Sequence, residues 1–111
     1  MKKLLLFAFL FTSFLCEAKN ELPILQWQKT YGGRYNEEAF SVIRTYNNNY
    51  VIAGATASSN GDIVNSHGAY EAWLMELNLS GNVEWKKVFG GTEYDGFNAV
   101  IQTLDSGYIC V

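Results

Sequence analysis

Two stretches of this chain carry nearly the same sequence, and this internal repeat limits the possible folds more than any other feature. "WQKTYGGRYNEEAF" begins at Trp27, and "WKKVFGGTEYDGFN" begins at Trp85. The offset is 58 residues, the difference between 85 and 27, and it holds without a gap as far as Val111. Repetition at a fixed period of this size indicates a chain built from small structural units that stack on one another.

Identical residues recur throughout the repeat. Trp27, Lys29, Gly32, Gly33, Val42, Ile43, Thr45 and Tyr50 match Trp85, Lys87, Gly90, Gly91, Val100, Ile101, Thr103 and Tyr108. Among the conservative pairs is Glu37 with Asp95. Glu37 and Glu38 are adjacent carboxylates, and paired acids can perform glycoside hydrolysis. Because a carboxylate recurs once per unit, we interpret Glu37 and Asp95 as acceptors that tie a loop to backbone N–H groups.

Within one period the sequence predicts four short strands. The strand-like segments are "AFSVIRTY" (39–46), "YVIAGATA" (50–57), "EAWLMELNL" (71–79) and "VEWKKVF" (83–89), each with β-branched, aromatic or alternating residues. Turn residues separate them at 47–49 and 80–82, and 105–107 repeats the first of these turns. The alternation places Val83, Trp85, Lys87 and Phe89 on one side of the last strand. Helical spacing of apolar residues is lacking almost everywhere.

Four antiparallel strands with tight turns and one longer loop are typical of a β-propeller blade. A β-solenoid is the alternative, but its coils use fewer residues than this period. The predicted fold is therefore all-β, with antiparallel four-stranded β-propeller blades in a repeat region over 19–111. It would hold about one and a half blades and an N-terminal seam strand, "ILQWQKTY" (24–31). The second blade would be incomplete, so we expect an N-terminal piece of a longer protein or a truncated reading of one.

The N-terminal segment, residues 1–18, has the pattern of a secretory signal peptide. Lys2 and Lys3 precede an uncharged apolar run, which is short for a membrane span, and Ala18 offers a cleavage point. A retained N-terminal membrane anchor is the alternative, although no second apolar stretch of that kind follows. Cleavage would remove Cys16 and leave Cys110 alone in an apolar strand, where we interpret it as a small buried hydrophobe. We expect the protein to be secreted or held at the cell surface.

The composition excludes some classes of partner. The formal net charge is −3, and the sequence has neither a basic patch nor a run of like charges. Nucleic acid and anionic membrane surfaces are therefore poor candidates. A protein or glycan ligand, and the remaining blades of a longer chain, are the partners that we expect.

One loop has the composition of a calcium site. Asn60, Asp62 and Asn65 are weak calcium candidates in "SSNGDIVNSHG", which lacks the spacing of an EF-hand. We favour a loop fastened by its own Asx turns, and we expect no cofactor. His67 is the only histidine in the sequence, so a zinc site with several His or Cys ligands is excluded for this segment.

The tryptophans and the glycine pairs also have structural interpretations. Trp27, Trp73 and Trp85 could stack on sugar rings, but they alternate with apolar neighbours, so we favour packing between blades. The pairs at 32–33 and 90–91 follow strands and precede no helix, which excludes a phosphate-binding loop. We interpret them as turn residues with positive φ.

The chain resembles the secreted, repeat-bearing β-propellers common in Bacteroidetes and related bacteria. The resemblance rests on "KTYGG", "EEAFSVIRT", "YVIAGATASSNGDI", "NSHGAYEAWLMELNLSGNVEW" and "GYICV". The chain departs from the family pattern at Glu71, where the family usually has Asp, and at "NNN" (47–49), where the family usually has "DGG". Similar proteins often carry a C-terminal sorting signal for the cell surface. The resemblance is specific for the architecture and not for an activity. We expect a secreted or cell-surface scaffold or binding module without catalysis in this segment. The alternative is the N-terminal part of a polysaccharide-acting hydrolase or lyase whose catalytic residues lie outside this chain.

Overall fold

The computed structural model describes residues 22–67 and 69–111, and in these ranges it is all-β. The strands are β1 (Glu37–Arg44), β2 (Tyr50–Thr56), β3 (Glu71–Leu77), β4 (Val83–Phe89), β5 (Val100–Gln102) and β6 (Tyr108–Cys110). This part of the chain has no helix, and so none long and apolar enough to cross a membrane. The predicted all-β class is confirmed, while the signal peptide predicted at 1–18 lies outside the described residues.

The first four strands form one antiparallel sheet in chain order, β1-β2-β3-β4. β4 has the bounds that the alternation predicts, and β2 and β3 end one and two residues earlier than expected. β1 bulges at Phe40, because Ala39 pairs with Gly54 and Ser41 pairs with Ala53. Gly54 accommodates the bulge, since a Cβ at this position would overlap the carbonyl oxygen of Glu38.

A second bulge corrects one sequence prediction. In β4, Trp85 pairs with Glu76 and Val83 pairs with Leu77, so Glu84 is an extra residue. The bulge reverses the alternation at the start of the strand. Val83 therefore packs on the opposite side of the sheet from Trp85, and it was wrong to place the two on one side.

Both faces of the four-stranded sheet are covered over its inner strands, and β3 is buried along its whole length. One face, here called the hairpin face, carries Ile43, Val51, Ala53, Leu74 and Trp85 and packs against Val100, Phe97, Tyr108 and Cys110. The other, here called the segment face, carries Tyr50, Ile52, Trp73, Met75, Leu77 and Val88 and packs against Trp27, Tyr31 and Ile63. The sheet is thus the middle layer of a three-layer arrangement.

The segment before β1 covers the segment face without forming a strand. The indole of Trp27 donates to the carbonyl of Leu79 at 2.8 Å, and the hydroxyl of Tyr31 donates to the carbonyl of Gly81 at 2.7 Å. The sequence predicts a strand over 24–31, and the structure assigns none there. A strand is defined by a hydrogen-bonded neighbour, and no described strand runs alongside this segment.

The two hairpins have the same turn at positions 58 residues apart. In the first, the amide of Thr45 donates to the carbonyl of Asn49; in the second, the amide of Thr103 donates to the carbonyl of Gly107, each at 2.9 Å. Asn48 and Ser106 occupy the same left-handed position, with φ of 68° and 67°. Equivalent stretches of sequence therefore form equivalent local structure.

Candidate functional site

Glu76 is a buried carboxylate near the C-terminal end of the inner strand β3, on the hairpin face. Only 6% of the residue is exposed. Its Oε1 accepts a hydrogen bond from the amide nitrogen of Asn49 at 2.7 Å, while Oε2 accepts from the indole of Trp85 and from the hydroxyl of Tyr108. Burial and the neighbouring carboxylate raise the pKa of Tyr108. The three donors satisfy Glu76, so the cluster joins the sheet to the second hairpin.

A cleft of about 980 Å³ opens beside this cluster, between β3, β4 and the second hairpin. Its walls include Leu74, Glu76, Trp85, Phe89, Phe97 and Tyr108. Cys110 also lines the cleft, and burial raises the pKa of its thiol. A cysteine with a raised pKa is a poor nucleophile. Apolar and aromatic side chains make up most of the lining, beside the charged side chains of Glu76 and Lys87.

The opposite end of the sheet carries the recurring glycine pairs and carboxylates. This end, here called the loop edge, lies where β1 and β3 begin and β2 and β4 end. Asp95 accepts a hydrogen bond from the amide of Gly91 at 2.8 Å, and Glu37 accepts one from the hydroxyl of Thr56 at 3.2 Å. Positive φ occurs at Gly32 and Gly90, the first glycine of each pair. Asp95 therefore fastens a loop through a backbone N–H group, as expected, whereas Glu37 accepts from a side-chain hydroxyl at the end of β2.

Glu71 is fully buried at the same edge, which its place in an alternating strand did not predict. Its Oε2 accepts from the amide of His67 at 3.0 Å, and its Oε1 lies 3.3 Å from the Nδ1 atom of the same residue. Burial raises the pKa of Glu71, but hydrogen bonds from Ser66 and His67 outweigh it and hold the pKa below its usual value. The side chain of Glu71, one methylene longer than that of aspartate, reaches back to His67 in the loop that precedes β3.

Two of the weak calcium candidates, Asn60 and Asp62, accept hydrogen bonds from the segment before β1. Oδ1 of Asn60 accepts from the amide of Arg34 at 2.8 Å, and Oδ2 of Asp62 accepts from the amide of Gly32 at 3.1 Å. Asn65 occupies the left-handed region with φ of 62°. The side chains of Asn60 and Asp62 fasten the loop to the segment before β1. Over 22–67 and 69–111, no three His, Cys, Asp or Glu side chains gather as metal ligands would.

The three tryptophans all point into the molecule. The indole of Trp27 bonds to Leu79 and that of Trp85 to Glu76, while the indole of Trp73 donates to the carbonyl of Glu38 at 3.2 Å. Trp73 is 3% exposed. Their rings and their only donors are used within the fold, as expected of packing residues.

Two tyrosines that were not predicted as site residues, Tyr70 and Tyr94, form an aromatic surface at the loop edge. The rings of Tyr70 and Tyr94 lie 5.1 Å apart between centroids, at an interplanar angle of 32°. The amide of Asn36 donates to the hydroxyl of Tyr70 at 3.3 Å. The signal available in the sequence was that Asn36 and Tyr94 are 58 residues apart and differ, although a glycine pair precedes and an acidic residue follows in both repeats.

Comparisons with protein-family models, with curated proteins and with solved structures gave no match for this chain.

Proposed function

We infer that this chain is part of a secreted or surface-displayed β-propeller that serves as a scaffold or binding module without catalysis in this segment. The observation that carries the proposal is the second hairpin. It has the turn of the first hairpin, and it packs on the hairpin face instead of extending the same sheet. Face-to-face stacking of equivalent sheets is how propeller blades bury their apolar surfaces.

The segment before β1 supports the same arrangement from the other side. Trp27 and Tyr31 pack on the segment face. In a closed propeller, an outer strand of the neighbouring blade would occupy this position. Leu22, Ile24 and Leu25 are 85%, 82% and 76% exposed. Apolar side chains this exposed in a strand-like sequence fit a seam strand whose own sheet partners come from further blades.

The cleft supports a continuation of the second sheet. β6 corresponds to β2, and β2 pairs with β3 from Tyr50 opposite Leu77 to Thr56 opposite Glu71. A strand equivalent to β3, placed at the free edge of β6, would lie over Leu74 and Trp85 and fill the cleft. We therefore assign the cleft to strands of a further repeat, and this accounts for its apolar walls without a small-molecule ligand.

A strand-addition experiment tests this assignment. A synthetic peptide with the sequence of residues 71–89 supplies β3 and β4, and it is added to the full chain. The rate of alkylation of Cys110 is followed by peptide mapping, which separates Cys110 from Cys16. We expect the peptide to slow alkylation severalfold, and a scrambled peptide of the same composition to leave it unchanged. Equal rates with the two peptides would contradict the proposal.

Export and the absence of catalysis are tested separately. Expression of the full chain with its own N-terminus in a bacterial host should give an exported product that begins at Lys19, as read by N-terminal sequencing. Incubation of that product with polysaccharides should leave the number of reducing ends unchanged. A product retaining residues 1–18 would contradict the signal peptide, and a rise in reducing ends would favour the enzyme alternative.

A further inference from the structure

We propose that the loop edge binds a neutral carbohydrate, with the paired rings of Tyr70 and Tyr94 as the stacking platform and Asn36 as a polar contact beside it. This inference rests on the proposed binding function and names its ligand class. It starts from the three segments that meet at this edge: the loop before β1, the loop between β2 and β3, and the loop between β4 and β5.

Aromatic rings are exposed at the loop edge. Tyr94 is 60% exposed and Tyr35, on the neighbouring loop, is 64% exposed, although each has apolar surface to bury. Tyr70 is half-buried and holds one side of the Tyr94 ring at a centroid distance of 5.1 Å. A tyrosine ring loses little conformational entropy on binding and offers both an apolar face and a hydroxyl.

The two repeats differ in the side chains at the tips of their equivalent loops. The glycine pairs at 32–33 and 90–91 match, and Glu37 matches Asp95 in charge. The three residues between them differ at every position, Arg-Tyr-Asn in the first repeat and Thr-Glu-Tyr in the second. Loops of one length on one scaffold with different side chains at the tip are typical of binding surfaces.

The two variable loops both contact Tyr70. Asn36 and Tyr94 occupy equivalent positions 58 residues apart, and they contact Tyr70 by different means. Asn36 bonds to its hydroxyl at 3.3 Å, and Tyr94 packs against its ring. The platform therefore spans two successive repeats and depends on their stacking.

Size and charge favour a neutral sugar over other ligands. A stable protein partner needs about 800 Å² on each side, whereas this platform consists of two rings and their rim. Exposed Glu38 and Glu93 outnumber the exposed Arg34 at the same edge, and this charge disfavours an anionic ligand. The flat face of a pyranose ring fits an aromatic surface, and its hydroxyls suit the amide of Asn36 and the tyrosine hydroxyls.

The test uses the full chain and two neutral polysaccharides, laminarin and xyloglucan, in affinity gel electrophoresis, with polygalacturonate as the anionic comparison. We expect binding to at least one neutral polysaccharide and none to polygalacturonate. Tyr94→Ala should weaken binding by about tenfold, because one stacking ring is lost. Tyr94→Phe keeps the ring and should stay within about threefold of the parent chain.

Tyr46→Ala is the matched control, since Tyr46 is 63% exposed but lies at the opposite end of the sheet. It should bind as the parent chain does, and thermal unfolding of each variant establishes that it is folded. Failure of the parent chain to bind either neutral polysaccharide would overturn this inference, as would equal binding by Tyr94→Ala. Neither result bears on the strand-addition experiment, which judges the propeller proposal by itself.

Discussion

The hydroxyl of Tyr108, in the second hairpin, lies 3.3 Å from Oε2 of Glu76, on an inner strand of the four-stranded sheet. These residues are far apart in sequence and belong to different sheets. Their contact buries a carboxylate that the indole of Trp85 and the amide of Asn49 also satisfy. The stacking of the two sheets therefore depends on a polar cluster as well as on apolar packing.

Replacing Glu76 should destabilise the chain strongly. In Glu76→Gln the amide nitrogen cannot accept a hydrogen bond, so at least one of the three donors loses its partner inside the fold. We expect the free energy of unfolding to fall by about 2 kcal/mol, measured by urea denaturation. Glu84→Gln is the matched control, because Glu84 is exposed, and it should change the free energy by less than about 0.5 kcal/mol. Equal effects of the two substitutions would contradict this role of Glu76.

Gly54→Ala should be among the most damaging small substitutions in the sheet. The added Cβ would overlap the carbonyl oxygen of Glu38 at the bulge, and backbone atoms cannot swing aside as a side chain can. We expect a loss of at least about 3 kcal/mol in the free energy of unfolding, or failure to fold. At Gly91 an added Cβ meets no atom within 4 Å. Gly91→Ala should therefore melt within a few degrees of the parent chain, and a parent-like Gly54→Ala would show that the bulge is misplaced.

The two hairpin turns should respond differently to glycine. Asn48 and Ser106 share the left-handed conformation, which asparagine tolerates better than serine does. Ser106→Gly should therefore stabilise the chain by about 0.5–1 kcal/mol, and Asn48→Gly by less. Thermal unfolding of both variants measures the difference. A lower melting temperature for Ser106→Gly would show that this turn does not have the stated φ.

Glu71 should make stability depend on acid pH. Its folded-state pKa lies below the usual value of 4.5, so the unfolded chain binds more protons as the pH falls. The stabilisation is fully present above pH 4.5 and is lost as the pH falls through the folded-state pKa. Glu71→Gln should be less stable at neutral pH and should show a flatter decline in urea midpoint with acidification. Glu93→Gln, at an exposed position, should retain the parent slope, and a parent-like slope in Glu71→Gln would contradict the assignment.

The sequence predicted the regular parts of the fold because alternation and turn residues are local signals. β2, β3 and β4 follow this pattern closely, and the turn at 47–49 recurs at 105–107. The two bulges were not predictable, because nothing in the residue types at or around Phe40 and Glu84 marks an extra residue in a strand. The segment at 24–31 has the sequence of a strand, but a strand also needs a neighbour, and that is a property of the assembled molecule.

The functional residues were less accessible to sequence reasoning. Polar residues in an alternating strand are normally expected to face solvent, and this conceals Glu76, because the second hairpin covers the face that it occupies. Glu71 is concealed for a related reason, since a loop folds over it. Tyr70 and Tyr94 are ordinary loop residues in sequence, and only the folded chain brings them together with Asn36.

The second hairpin stacks face to face on the first sheet. A double-mutant cycle between Glu76 and Tyr108 tests this arrangement most directly. The free energies of unfolding of the parent chain, Glu76→Gln, Tyr108→Phe and the double variant are measured under one set of conditions. The stacked arrangement predicts a coupling free energy of about 1 kcal/mol between the two positions. Additive effects, with a coupling below about 0.3 kcal/mol, would mean that the two side chains do not meet and would contradict the stacked arrangement.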